Sequence, residues 1–116
     1  MYGFEKLDTW KRSKSLSILI YSITNDFPNV EKFGLISQMR RSAVSVQSNI
    51  AEGSARMTNK DRSHFYTVSY SSLMELLNQL ILSYELGFCT EALYNQARAE
   101  VSLVAKLLNG LRKSER

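Results

Sequence analysis

Apolar side chains recur along this chain at alternating intervals of three and four residues, the spacing that stacks them on one face of an α-helix. Four segments carry such a stripe. Leu16, Ile20, Ile23 and Phe27 form the first, with Trp10 and Ser13 extending it backwards, and they predict a helix from about Asp8 to Asp26. Asp8 or Thr9 is placed to cap its first turn. Pro28 ends it, because the residue before a proline avoids the helical region. The second stripe is Ile36, Met39, Ala43, Val46, Ile50 and Gly53. It is heptad-like over five intervals and predicts a helix from near Asn29 to about Arg56.

The third helix opens at Thr58 or Asn59, either of which serves as a cap, with Asp61 at the positive end of the helix dipole. Tyr66, Tyr70, Leu73, Leu77, Leu80 and Tyr84 make one stripe, and Phe65, Val68, Ser72 and Leu76 make a second beside it. A helix apolar on two stripes is covered on more than one side. Gly87 supplies a left-handed stop. The fourth helix runs from Thr90 to about Leu111 on Leu93, Ala97, Val101, Val104, Leu108 and Leu111, with Arg112, Lys113 and Arg116 at the negative end of its dipole. No segment alternates like a strand. Four amphipathic helices with short links predict an all-α, up-down-up-down antiparallel four-helix bundle, a single domain over residues 1–116.

Composition narrows the functional classes more than it selects one. Leu, Ile, Val and Phe are too frequent for a disordered chain, while five glycines and one proline are too few turn residues for a β-sandwich. At 116 residues there is no room for a cofactor domain beside a separate substrate domain. The lone Cys89 excludes an intrachain disulfide. The first residues lack the apolar core of a signal peptide. The most apolar stretch, Leu73 to Phe88, is interrupted by Glu75, Asn78, Gln79 and Glu85, so no membrane span or membrane partner is expected and the location expected is cytoplasmic.

Catalytic and metal chemistry find little support. His64 is the only histidine, and nothing converges on it at readable spacing except Asp61 one turn before. The Glu-x-x-His motif of di-iron bundles, phosphate-binding glycine loops and Cys-x-x-Cys are all missing. Cys89 has no adjacent base and reads as a small apolar filler. No catalytic residue, metal ligand, cofactor or small-molecule substrate is expected.

The net charge of +4 is spread along the chain rather than gathered in a tail. It permits an acidic partner such as nucleic acid without requiring one. Lys11, Arg12 and Lys14 form one basic group, and Arg40, Arg41, Arg56, Lys60 and Arg62 form another around the second helix and the following link. Tyr66 and Tyr70 lie just beyond, but their places on the apolar stripe make them core. The second helix also carries a polar stripe, Gln38, Arg41, Ser45, Ser48 and Glu52, and many small residues. A solvated face with buffering ion pairs and a subunit interface or ligand groove both fit. Arg41, in register with Ser45, Ser48 and Glu52, is assigned with Asn49, Glu52 and the distant Glu75 to an internal polar network. Arg40 is then the more exposed of the pair, and Arg40, Arg56, Lys60 and Arg62 are the candidate phosphate contacts.

The run Gln38-Met39-Arg40-Arg41-Ser42-Ala43-Val44-Ser45-Val46-Gln47-Ser48-Asn49-Ile50-Ala51-Glu52-Gly53, followed by Arg56, resembles the signature of the 23S rRNA intervening-sequence proteins, a bacterial group often called four helix bundle proteins. Phe4-Glu5-Lys6-Leu7 with Trp10-Lys11 resembles its opening. Phe27-Pro28 and Phe33-Gly34-Leu35 resemble the end of its first helix and the start of its second, and Ser72 to Leu76 with Glu85-Leu86-Gly87 its third. Gln47 and Ser71 depart from the proline and glycine usual there, and the loss of proline predicts an unkinked second helix. The resemblance implies a ring, commonly of five subunits, and does not imply a known enzyme activity. With the charge, this gives a non-enzymatic homo-oligomer that binds RNA through basic surface as the first functional expectation. A protein–protein scaffold with no nucleic-acid role is the alternative.

Overall fold

The computed structural model describes residues 1–115, so Arg116 lies outside the described residues. Four helices follow in order: α1 (Asp8–Thr24), α2 (Leu35–Ser54), α3 (Asn59–Glu85) and α4 (Glu91–Ser114). Each packs on its sequence neighbours, and α1 closes the arrangement against α4. This is the expected antiparallel bundle, 43 × 24 × 24 Å, its length set by the 27 residues of α3.

The stripes are the core. Leu16, Ile20, Met39, Val46, Ile50, Leu73, Leu76, Leu80, Val104 and Leu108 are fully or almost fully buried and belong to one cluster with Tyr66, Ala97 and Val101. Burial of this apolar surface is the main favourable term holding the helices together. The second stripe of α3 is covered only in part: Leu76 is buried, whereas Val68 reaches solvent.

Small residues set how closely α2 is approached. Ser17 on α1 donates to the Ala43 carbonyl (3.2 Å), and Ser69 on α3 donates to the Val46 carbonyl (2.7 Å). A Cβ at Gly53 would lie 2.8 Å from Phe65 Cβ and 2.9 Å from Tyr66 Cε1, so only glycine admits α3 at this depth. Part of the small-residue run therefore serves packing inside the bundle, with Ser42, Ala43 and Gly53 buried.

The helix ends follow their caps. Thr58 Oγ1 accepts from the Asp61 amide (3.1 Å) and Thr90 Oγ1 from the Leu93 amide (3.2 Å). Gly87, at φ 79°, closes α3 in a Schellman arrangement, with Phe88 N donating to the Ser83 carbonyl and Gly87 N to the Tyr84 carbonyl. Two starts differ from the capping expectation. α1 has Leu7 at its N-cap and no side-chain cap bond, so neither Asp8 nor Thr9 caps it, Asp8 being already the first helical residue. α2 begins at Leu35, not near Asn29, because Asn29–Glu31 form a 3₁₀ turn that carries the chain around the bundle end. Phe27, just before this turn, is buried against Phe88, with ring centroids 5.5 Å apart. Glu31 Oε1 accepts from the Leu35 amide (3.3 Å), so the capping oxygen comes from Glu31 rather than Asn29. From Leu35 onward α2 is unbroken through Gln47.

Candidate nucleic-acid interface

The positions of the basic side chains follow from the rotation of α2. Met39 points into the core, so Arg40, about 100° on, lies against α1, and Arg41, a further 100° round, lies on the outer side. Arg40 is half-buried. Its Nε donates to Thr24 Oγ1 (3.0 Å), its Nη2 to the Tyr21 carbonyl (3.4 Å), and its guanidinium lies 4.6 Å from the Tyr21 ring centre. Arg41 is exposed. The assignment made from register is thus reversed: Arg40 is the anchored arginine and Arg41 the free one. Register with Ser45, Ser48 and Glu52 misleads, because only Ser45 of that stripe is turned toward α3, while Gln38, Arg41, Ser48 and Glu52 are exposed.

The expected internal network is corrected with it. Glu52 and Glu75 are exposed, and among the described residues neither they nor Arg41 make an ion pair. Glu75 accepts only from Gln79 Nε2 (3.3 Å). The polar contact between α2 and α3 is smaller and uncharged. Asn49 Nδ2 donates to the Ser45 carbonyl (2.9 Å) and to Ser45 Oγ (3.1 Å), and Ser45 Oγ lies 2.8 Å from Ser72 Oγ. Spacing alone puts Ser72 on an apolar stripe; its hydroxyl meets Ser45 only when α2 and α3 are docked.

The candidate phosphate contacts do not form one patch. Arg40 lies on the first half of α2 and Arg56 beyond its end; the helix from Arg40 to Ser54 alone spans roughly 21 Å at about 1.5 Å per residue. Arg56 and Lys60 are exposed at the α2–α3 link, with the Arg56 guanidinium 4.5 Å from the Phe65 ring centre. Arg62 is committed elsewhere. Its Nε pairs with Glu115 Oε2 at 2.9 Å, its Nη1 donates to the Arg56 carbonyl (2.9 Å), and its Nη2 donates to Asn59 Oδ1. It ties the start of α3 to the end of α4.

A second basic surface surrounds the start of α2. Tyr21, Lys32, Phe33, Ile36, Ser37, Arg40, Arg41 and Val44 line an open groove of about 480 Å³. Its lining contains three cations and no carboxylate. Phe33 is 88% exposed, and Lys32 Nζ stands 5.6 Å from its ring centre. The sequence pattern marks Phe33 only as part of a helix start; the signal it carries for this groove is an aromatic between Lys32 and the Arg40-Arg41 pair.

His64 is exposed, with its ring edge-on to Phe65 (5.6 Å). Burial pushes the Cys89 thiol up from its ordinary pKa, which disfavours the nucleophilic thiolate. Among the described residues no group of three or more His, Cys, Asp or Glu side chains is placed to hold a metal ion, and no helix is long and apolar enough to cross a membrane.

Fold and surface together define a four-helix bundle with exposed basic side chains at the start of α2 and at the α2–α3 link. Its sequence matches the family model described as 23S rRNA-intervening sequence protein over residues 5–110, and the chain belongs to that family. The fold is similar to the crystal structure of a protein of unknown function from the S23 ribosomal protein family of Bacteroides thetaiotaomicron. The TM-score is 0.81 at 19% identity, over 90% of this chain and 98% of that one. A comparison with curated proteins finds no match.

Proposed function

We propose that this chain is a non-enzymatic, homo-oligomeric family member that binds RNA through its basic surface. The observation that carries the reading is the set of exposed cations, Arg41, Arg56 and Lys60, that have no ion-pair partner among the described residues. Such side chains contact phosphates at little desolvation cost and release counterions on binding. Assembly into a ring of copies, as the family resemblance implies, repeats a weak contact and raises avidity without new chemistry. Exposed Val68, Leu82 and Leu86 are apolar surface for contact between copies. The test is a titration of the protein against cellular RNA at low and moderate salt, with light scattering for mass. Binding that weakens steeply with salt, on a particle several times 13.3 kDa, supports the reading. Arg56→Ala with Lys60→Ala is expected to lower affinity and flatten the salt dependence.

A scaffold for other proteins is the second reading. It draws on the same exposed α3 side chains, Val68, Leu82 and Leu86. An assembled protein that binds no RNA even at low salt would favour it.

A further inference from the structure

We propose that the groove at the start of α2 is a site for single-stranded RNA, in which an unpaired base stacks on Phe33 while Lys32 and Arg41 hold the adjoining phosphates. This rests on the RNA-binding reading and gives it a location and a substrate class.

The argument starts from Phe33. A phenylalanine ring left 88% exposed gains nothing from burial in this chain. It stands in the turn before α2 and lines the groove together with Tyr21, Ile36 and Val44. The cations are arranged around the rings: Lys32 by Phe33, and Arg40 over Tyr21. Arg40 is fixed by Thr24 and the Tyr21 carbonyl, which makes it a wall of the groove, whereas Lys32 and Arg41 are free to reach a ligand. Glu31, the acid nearest in sequence to Phe33, is outside the groove lining and accepts a bond from the Leu35 amide.

An aromatic face flanked by cations, with no acid in the lining, fits a flat ring joined to an anion. Single-stranded RNA has that chemistry at every nucleotide, and base stacking on aromatic side chains tolerates any sequence. A duplex offers the phosphates but keeps its base faces stacked internally, so it would leave Phe33 unused. A helix of a second copy would have to neutralise three cations in a small area. Charge complementarity therefore favours the nucleic acid.

The experiment measures fluorescence anisotropy of a labelled ten-nucleotide oligouridylate and of a ten-base-pair RNA duplex, across a salt series. Phe33→Ala is expected to weaken single-strand binding about ten-fold, without changing its salt slope and without changing duplex binding. Phe33→Trp is expected to retain the wild-type affinity. Lys32→Ala with Arg41→Ala should reduce the slope of log affinity on log salt by about 1.4, for two phosphates on a single strand. Circular dichroism and light scattering accompany each variant. If the wild type binds neither RNA at low salt, both the groove and the RNA reading fall. Equal affinity of wild type and Phe33→Ala for the single strand overturns the groove alone and leaves RNA binding elsewhere on the protein. Loss of affinity only together with loss of particle mass would make this face a contact between copies and overturn the site.

Discussion

Arg62 and Glu115 are 53 positions apart in the chain and form an ion pair of 2.9 Å that fastens the first turn of α3 to the last residues of α4. Both side chains are largely shielded, and Arg62 also bonds the Arg56 carbonyl in the preceding link. A charge-assisted pair of this kind contributes about 1 kcal/mol, more than a freely solvated one. Arg62→Ala is expected to cost roughly 1–2 kcal/mol, because the acceptors it serves lose their donor. A double-mutant cycle with Glu115→Ala, followed by urea denaturation, should show positive coupling. Tests of RNA binding at the α2–α3 link should accordingly leave Arg62 in place.

Gly53→Ala places a methyl group 2.8 Å from Phe65 Cβ, where neither helix can yield without disturbing the other. Overpacking of this kind costs about 1–3 kcal/mol. A thermal melt of the variant should show a clear fall in midpoint with the helical spectrum retained at low temperature.

Glu52→Ala is expected to change stability by no more than about 0.5 kcal/mol, since the carboxylate is exposed and unpaired. Asn49→Ala removes the donor to Ser45 and should cost about 1 kcal/mol. Chemical denaturation of the two variants side by side checks the order. A larger loss for Glu52→Ala would contradict its placement on the outer face.

The Tyr66 phenol has its pKa raised above 10.0, first by burial and then by the Glu115 carboxylate, with Arg62 partly opposing. The folded state thus holds this proton more tightly than the unfolded state. Its contribution to stability is complete below the ordinary phenol range and is lost as pH rises from about 10 through the folded value. Stability of the wild type should fall more steeply above pH 10 than that of Tyr66→Phe, measured by denaturant midpoints across that range.

The sequence by itself determined the four helices and the core. Apolar spacing of three and four is a local property of each helix, and it marked Met39, Val46, Ile50, Leu73 and Leu80 as interior residues, which they are. Thr58, Gly87 and Thr90 marked ends because caps act within one turn of the chain. Family membership was legible for the same reason, in the contiguous run from Gln38 to Gly53. The tertiary structure decided the partners of the charged residues. Arg40 and Arg41 are adjacent in sequence, and only the docking of α1 against α2 brings Thr24 and Tyr21 to one of them and leaves the other in solvent. Sequence alone offers Arg62 as a phosphate contact, because nothing near it in the chain announces Glu115. The groove beside Phe33 likewise joins α1, the turn and α2. Helix formation follows from periodicity along one segment, whereas the chemistry of a surface depends on which segments meet, and that is set by packing across the whole bundle.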